Sequence, residues 1–249
     1  MADEHHPSEH QSDERTAALV GSLAAVRARI ADTCESVGRD PRTVTLVAVT
    51  KTYPVSDIVV LAQLGVPDIG ENKDQEARAK VAELAETHPA LPVRWHMVGR
   101  VQTNKAKSVV RYATAVHSVD RAKLAAALAD AAAKAQRRDP LEVFVQVSLD
   151  GDPERGGVLD ADLDGLADVV AARPELALRG LMAVAPMEAD PDQAFARLAE
   201  LSERVQRAHP GAQSISAGMS HDLEAAIRNG ATHVRVGTAL LGRRPPVFS

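Results

Sequence analysis

The chain has 249 residues, 45% of them hydrophobic, which is enough to bury a sizeable core and normal for one α/β barrel domain. A formal net charge of −5 excludes a global positive field that would recruit polyanions, so nucleic acid is not an expected partner. Cys34 is the only cysteine; that excludes an intrachain disulfide and fits a reducing compartment.

The first segment, "MADEHHPSEHQSDE", carries neither a basic region nor an apolar one. Nowhere do about 18 apolar residues run together. A cytoplasmic protein with no membrane partner is expected. Residues 1–14 read as a disordered tail, and His5, His6 and His10 within it are assigned no metal or other role. Residues 15–249 read as one domain. It opens on a helix, with Leu19, Leu23, Val26, Ile30 and Val37 at helical spacing and Gly38 as its stop.

From there short apolar runs alternate with longer amphipathic or Ala-rich segments, the pattern of repeated βα units. The strand-like runs are "TVTLVAVT", "VPDIG", "VRWHMVG", "ATAVHS", "LEVFVQVS", "LALRGLMAV", "AQSISAG" and "THVRVGT". Eight such runs predict a single (β/α)8 TIM-type barrel with an extra N-terminal helix. A doubly wound open sheet is the alternative, but it calls for a Gly-rich fingerprint after the first strand, where this chain has "TKTYP".

In such a barrel the site lies at the C-terminal ends of the strands, so the residues after each run form one ring. Lys51 follows the first run, Asn72 the second, His96 closes the third and His117 the fourth, and "SAGMS" with Met219 and Ser220 follows the seventh. Arg235, Gly237 and Thr238 end the eighth. Backbone N–H groups at the two helix starts after strands seven and eight would cradle a phosphate. Asp222 must then point away, since its charge would repel the anion. A lysine opposite a phosphate cradle asks for a ligand with an aldehyde at one end and a phosphate at the other, which describes pyridoxal 5′-phosphate (PLP). A Lys amine in a confined, partly desolvated site is more often neutral and can attack the aldehyde to give a Schiff base. Lys73, Lys105 and Lys107 fall in helical segments instead, and the basic stretch "GRVQTNKAKSVVR" reads as a solvated helix.

The motifs "LVAVTKTYP", "IGENKDQEARAK", "RWHMVGRVQTNKAK", "VHSVD", "LRGLMAV" and "SAGMSHDLEAAIRNGATHVRVGTALLGRR" resemble, in order, those of the pyridoxal phosphate homeostasis proteins, also called the proline synthase co-transcribed homologues. The resemblance spans most of residues 44–244. It implies the fold of the alanine racemase N-terminal domain and PLP held covalently by Lys51. It also implies that Ser220, Gly237 and Thr238 hold the phosphate, that Arg235 faces the pyridine nitrogen, that Asn72 is a polar neighbour, and that His96 and Met219 line the site. Thr50, where the family usually has Ser, Ala217, in place of a common Met, and Arg155, in a loop that usually carries Lys, are departures.

The role implied is carrying, buffering or delivering PLP, without catalytic residues of its own. An arginine at the pyridine nitrogen leaves that nitrogen unprotonated, which makes the ring a poor electron sink. The tyrosine that racemases of this fold bring from a second domain has no counterpart among Tyr53 and Tyr112. A small fold-type III amino-acid racemase is the alternative, and a phosphate-sugar-binding barrel a third. A monomer is expected, with PLP-dependent apoenzymes as the partners such a carrier would serve.

Overall fold

A computed structural model describes residues 9–152 and 155–242. Eight parallel strands close into a barrel in sequence order: β1 (Thr45–Val49), β2 (Asp68–Glu71), β3 (Arg94–Met97), β4 (Ala113–Val119), β5 (Leu141–Gln146), β6 (Leu176–Met182), β7 (Ser214–Ser216) and β8 (His233–Val236). Each lies within or beside one of the apolar runs picked out in the sequence. Closure is made by β1 against β8, with Leu46 opposite Val234 and Ala48 opposite Val236, while Ala48 also faces Ile69 of β2.

The N-terminal helix α1 (Glu9–Ser36) starts earlier than expected, so residues 9–14 are helical rather than a disordered tail. Residues 1–8, including His5 and His6, lie outside the described residues. The helix also stops before Val37, which is exposed instead of continuing the buried stripe. Leu19, Leu23, Val26, Ile30 and Cys34 of that stripe are buried. At roughly 1.5–3 kcal/mol for each large aliphatic side chain removed from water, this face holds α1 on the barrel. It packs in one apolar cluster with Leu223 and Ile227 of α8 (Leu223–Arg228) and Leu240 and Leu241 of α9 (Thr238–Leu241). Arg29 pairs with Glu224 at 2.6 Å, and Arg15 with Asp57 at 2.6 Å. The helix therefore buttresses the two short helices that follow β7 and β8.

Between the strands run α2 (Val55–Gln63), α3 (Asp74–Thr87), α4 (Ala106–Val109), α5 (Ala122–Lys134), α6 (Asp160–Ala171) and α7 (Pro191–Ala208). Their apolar faces and the outward residues of the strands form two large clusters. Inside the barrel a third, small cluster gathers Ala115, Phe144 and Met182. So few apolar residues there leave room for His96, His117, Ser216 and Arg235, all buried. Among the described residues no helix is long and apolar enough to cross a membrane.

Candidate functional site

A cavity of about 590 Å³ opens at the C-terminal ends of the strands, within the range of small-molecule sites, about 300–1,000 Å³. Its wall takes Lys51 from the end of β1, Asn72 from the end of β2, and Met219 and Ser220 from the loop after β7. Arg235, Gly237 and Thr238 come from β8 and the start of α9. Seven of the eight expected cofactor residues thus share one cavity. The eighth, His96, does not line it: its ring lies deeper in the barrel, with Nε2 2.8 Å from Asp68 Oδ1 and Nδ1 2.9 Å from His117 Nε2. Its position on the inward face of β3, one turn of the pleat below the strand end, makes it an interior residue.

Lys51 is held in a tight turn. The Tyr53 N–H donates to the Thr50 carbonyl at 3.0 Å, and Thr52, at the third position, has φ 69°, a left-handed conformation costly for a β-branched residue. Buried charge stabilises it from behind. The Thr50 hydroxyl donates to Glu71 Oε1 at 2.6 Å, and the Thr52 N–H donates to Glu76 Oε1. Lys80 Nζ, on α3, donates to the Thr50 carbonyl at 2.7 Å, to Glu71 Oε1 at 2.7 Å and to Glu76 Oε1 at 2.8 Å. Burial raises the Glu71 carboxyl, and the Lys80 and Thr50 hydrogen bonds offset this only in part. At Glu76 burial works in the same direction, but the Lys80 and Thr52 donors outweigh it and the carboxyl is held below its ordinary value.

Another part of the wall is made by the loop after β7. Gly218, at φ 90°, packs so closely that a Cβ there would meet the Ala226 Cβ at 2.7 Å. Asp222 does point away from the expected phosphate position: its Oδ1 accepts the Met219 N–H at 2.5 Å, its side chain is buried, and it does not line the cavity. The Ser220 hydroxyl oxygen accepts the Ala239 N–H at 3.1 Å, which leaves its own hydrogen to donate. Arg235 is buried and donates to Ser216 Oγ at 2.7 Å and to the Ala183 carbonyl at 3.0 Å. Desolvation lowers it to about 10, so it stays a cation near neutrality. On the side nearer β2, Gly99 is required by contact: a Cβ would lie 2.2 Å from the Asn72 carbonyl oxygen.

Two lining residues with polar groups, His221 and Tyr53, were not among the candidates. His221 follows Ser220 with a side chain 72% exposed, its Nε2 3.5 Å from Asp222 Oδ2. Tyr53 lines the cavity through its ring, with its hydroxyl donating to the Gly242 carbonyl at 2.7 Å. Their adjacency to Ser220 and Lys51 was the available signal. Tyr112 is elsewhere, its hydroxyl donating to Asp74 beneath α4. Arg155, in the loop expected to face the ligand, donates to the Ala185 carbonyl at 2.7 Å.

The family model of the alanine racemase N-terminal domain matches residues 22–245. A "Pyridoxal phosphate homeostasis protein" of Mycobacterium tuberculosis is 45% identical over 245 residues, covering 93% of this chain and 95% of that protein. Among solved structures, PipY of Synechococcus elongatus with PLP bound aligns with a TM-score of 0.75 at 33% identity, covering 86% of this chain and 100% of that one. A protein of unknown function from Bifidobacterium adolescentis aligns with a TM-score of 0.85 at 28% identity, covering 92% and 96%.

Proposed function

The chain belongs to the pyridoxal phosphate homeostasis proteins, and from that premise we propose that it binds PLP in the strand-end cavity and serves to carry, buffer or deliver it. The observation that carries the reading is the meeting in one cavity of an amine on a rigid turn, Lys51, with the donors of Ser220, Thr238 and Arg235. When bound, the cofactor supplies an aldehyde carbon that a lysine amine can bond and a phosphate that can anchor it.

The residues present fit that group. Lys51 would bond the aldehyde covalently, since the turn from Thr50 to Tyr53 fixes its backbone while its side chain reaches the cavity. Ser220, Gly237 and Thr238 would hold the phosphate, with the Ser220 hydroxyl oriented by the Ala239 N–H to donate outward. Arg235, whose guanidinium has donors and no acceptor, would donate to the pyridine nitrogen and keep a proton off it. Asn72 and Met219 would flank the ring.

The test is the visible absorption spectrum of the purified chain with PLP, alongside Lys51→Ala, followed by borohydride reduction and peptide mass analysis. A band lost in the variant and a modification on the Lys51 peptide are expected. A band that persists moves the linkage to another lysine, and no uptake of PLP at all returns the cavity to a phosphate-sugar ligand.

A second reading, a small amino-acid racemase, gains one observation. His221 lines the cavity beside Ser220, which puts an imidazole, a group able to transfer protons, in the same cavity as Lys51. Amino-acid racemisation abolished by either Lys51→Ala or His221→Ala would establish it. Its absence from the wild-type chain would leave carriage as the function. Delivery to PLP-dependent apoenzymes, a monomeric state and a cytoplasmic location are parts of the proposal. They are tested by apoenzyme reactivation, by sedimentation and by cell fractionation.

A further inference from the structure

An unbroken line of hydrogen bonds crosses the barrel interior from the N-terminal end of the strands to the cavity. Asp68 Oδ1 on β2 lies 2.8 Å from His96 Nε2 on β3, and His96 Nδ1 lies 2.9 Å from His117 Nε2 on β4. His117 Nδ1 lies 2.8 Å from Ser216 Oγ on β7, and Ser216 Oγ is 2.7 Å from the Arg235 guanidinium on β8. All five residues are buried. Phe144 stacks on the His117 ring, centroids 4.3 Å apart and planes 21° from parallel, which fixes the ring orientation.

With both imidazoles neutral, the chemistry of the two ends sets a direction. An ionised carboxylate only accepts, so His96 must carry its hydrogen on Nε2. A neutral His96 then has a bare Nδ1, so His117 must donate from Nε2. A neutral His117 in turn has a bare Nδ1, which receives the Ser216 hydroxyl hydrogen, and the Ser216 lone pairs receive the Arg235 N–H, from a group that can only donate. Every donor along the line therefore points toward Asp68. Burial lowers His117 well below the ordinary imidazole value, and at Asp68, where burial works against the charged form, the hydrogen bond from His96 and the charge of Arg94 hold the carboxyl low. Arg94 Nε lies 3.4 Å from Asp68 Oδ1, and His233 packs edge-on to Phe144 with centroids 5.2 Å apart.

We propose that Asp68, His96, His117 and Ser216 form a one-way hydrogen-bond relay that locks the Arg235 guanidinium in place at the cavity, making the two histidines positioning residues rather than ligands of the cofactor. The relay itself is a property of the chain alone; its bearing on PLP rests on the function proposed above. Sequence spacing would assign these histidines to a strand-end site, whereas the structure assigns them to the support of a residue in that site.

The test is the 15N chemical shifts of the histidine rings in the cofactor-free chain. A protonated Nε2 and bare Nδ1 are expected at both His96 and His117. In Asp68→Ala the accepting end is gone, so the line can reverse, and the His117 nitrogens are expected to move toward the opposite tautomer although Asp68 does not touch them. A purely structural Asp68 would leave the His117 shifts unchanged. That result, or an Nδ1-protonated or doubly protonated His117 in the wild-type chain, overturns the proposal, and the wild-type measurement stands even where the variant does not fold. With PLP added, Ser216→Ala is expected to weaken binding roughly tenfold, as loss of a hydrogen bond to a charged group does, and Ser216→Thr, which keeps the hydroxyl, to recover it. Affinity unchanged in Ser216→Ala overturns the positioning role. Expected tautomers in a chain that takes up no PLP would refute the cofactor reading while supporting the relay.

Discussion

Replacing Lys80 by Met tests whether the turn that carries Lys51 is held by buried charge. Lys80 is 7% exposed and Glu71 1% exposed; the variant leaves the Glu71 carboxylate in a dry site with the Thr50 hydroxyl as its remaining donor, while its Oε2 is without a hydrogen-bond partner. Removing one partner of a buried pair costs about 3–5 kcal/mol, but the carboxyl has an escape, which is to take up a proton. At pH 7, protonating a carboxyl of ordinary pKa 4.5 costs about 3.4 kcal/mol, and this caps the Glu71 part of the loss. The Thr50 carbonyl loses a donor for about 1 kcal/mol more. Glu76, with a side chain 26% exposed, is rehydrated and adds little. The expected total is about 4 kcal/mol. The pH dependence carries the signature. In the variant the folded chain binds a proton that the unfolded chain releases at neutral pH, so its deficit shrinks by about 1.4 kcal/mol for each pH unit lowered toward the ordinary carboxyl value. Urea unfolding followed by the fluorescence of the buried Trp95 measures this in wild type, Lys80→Met and Lys80→Met/Glu71→Gln, the last expected to recover most of the loss. A deficit below about 1 kcal/mol that is flat with pH would refute the reasoning.

Gly218→Ala, which combines φ 90° with a Cβ 2.7 Å from that of Ala226, is expected to cost about 2–3 kcal/mol in thermal or urea unfolding and to weaken inorganic phosphate binding measured by calorimetry. Arg235→Leu is expected to lower PLP affinity about tenfold or more, since it removes a buried cation from the cavity wall; the readout is a spectrophotometric titration. Burial lowers the His233 imidazole from 6.5 to about 4, so between those values the unfolded chain binds more protons than the folded one. Wild-type stability is therefore expected to fall on acidification across that window, by on the order of 3 kcal/mol from this group, and urea unfolding of His233→Gln to show a shallower decline.

The barrel was legible because most strands fall in short runs rich in Val, Ile, Leu and Ala, and the spacing of eight such runs leaves little choice of topology. The strand-end rule then gathered Lys51, Asn72, Ser220, Arg235, Gly237 and Thr238, which line one cavity, since it asks only where each run stops. It does not set the depth of His96, which is not part of the cavity lining, because which residues turn inward depends on pleat and register: His96 pairs with Gly70 and Ala115 across the barrel wall, and a register shift lies between it and Trp95. The helix start at Glu9 was missed for another reason. Polar residues 9–14 carry no apolar period, and docking of the later stripe on α8 and α9 carries the helix back through them. Nor was the support of Lys51 visible, since Lys80 and Glu76 read as ordinary surface charges on an amphipathic helix until the fold turns them under the Thr50–Tyr53 turn.

That support also decides the electrostatics of the cavity. Two carboxylates belong to the elements that build the cavity wall without lining it, and each is occupied elsewhere: Asp222 by the Met219 N–H, and Glu71 by Thr50 and Lys80. Among the described residues that line the cavity there is no Asp or Glu, while Lys51 and Arg235 are both on its wall. A cavity so arranged attracts a phosphate-bearing ligand from a chain whose net charge is −5, because the field that matters is the one within a Debye length of the site, about 8 Å, and not the sum over the surface. It also accounts for the lack of an acidic residue among the described residues that line the cavity. A carboxylate on the wall would supply a general base but would repel the phosphate, and the chain's acids are spent on holding Lys51, Met219 and Arg235 in place.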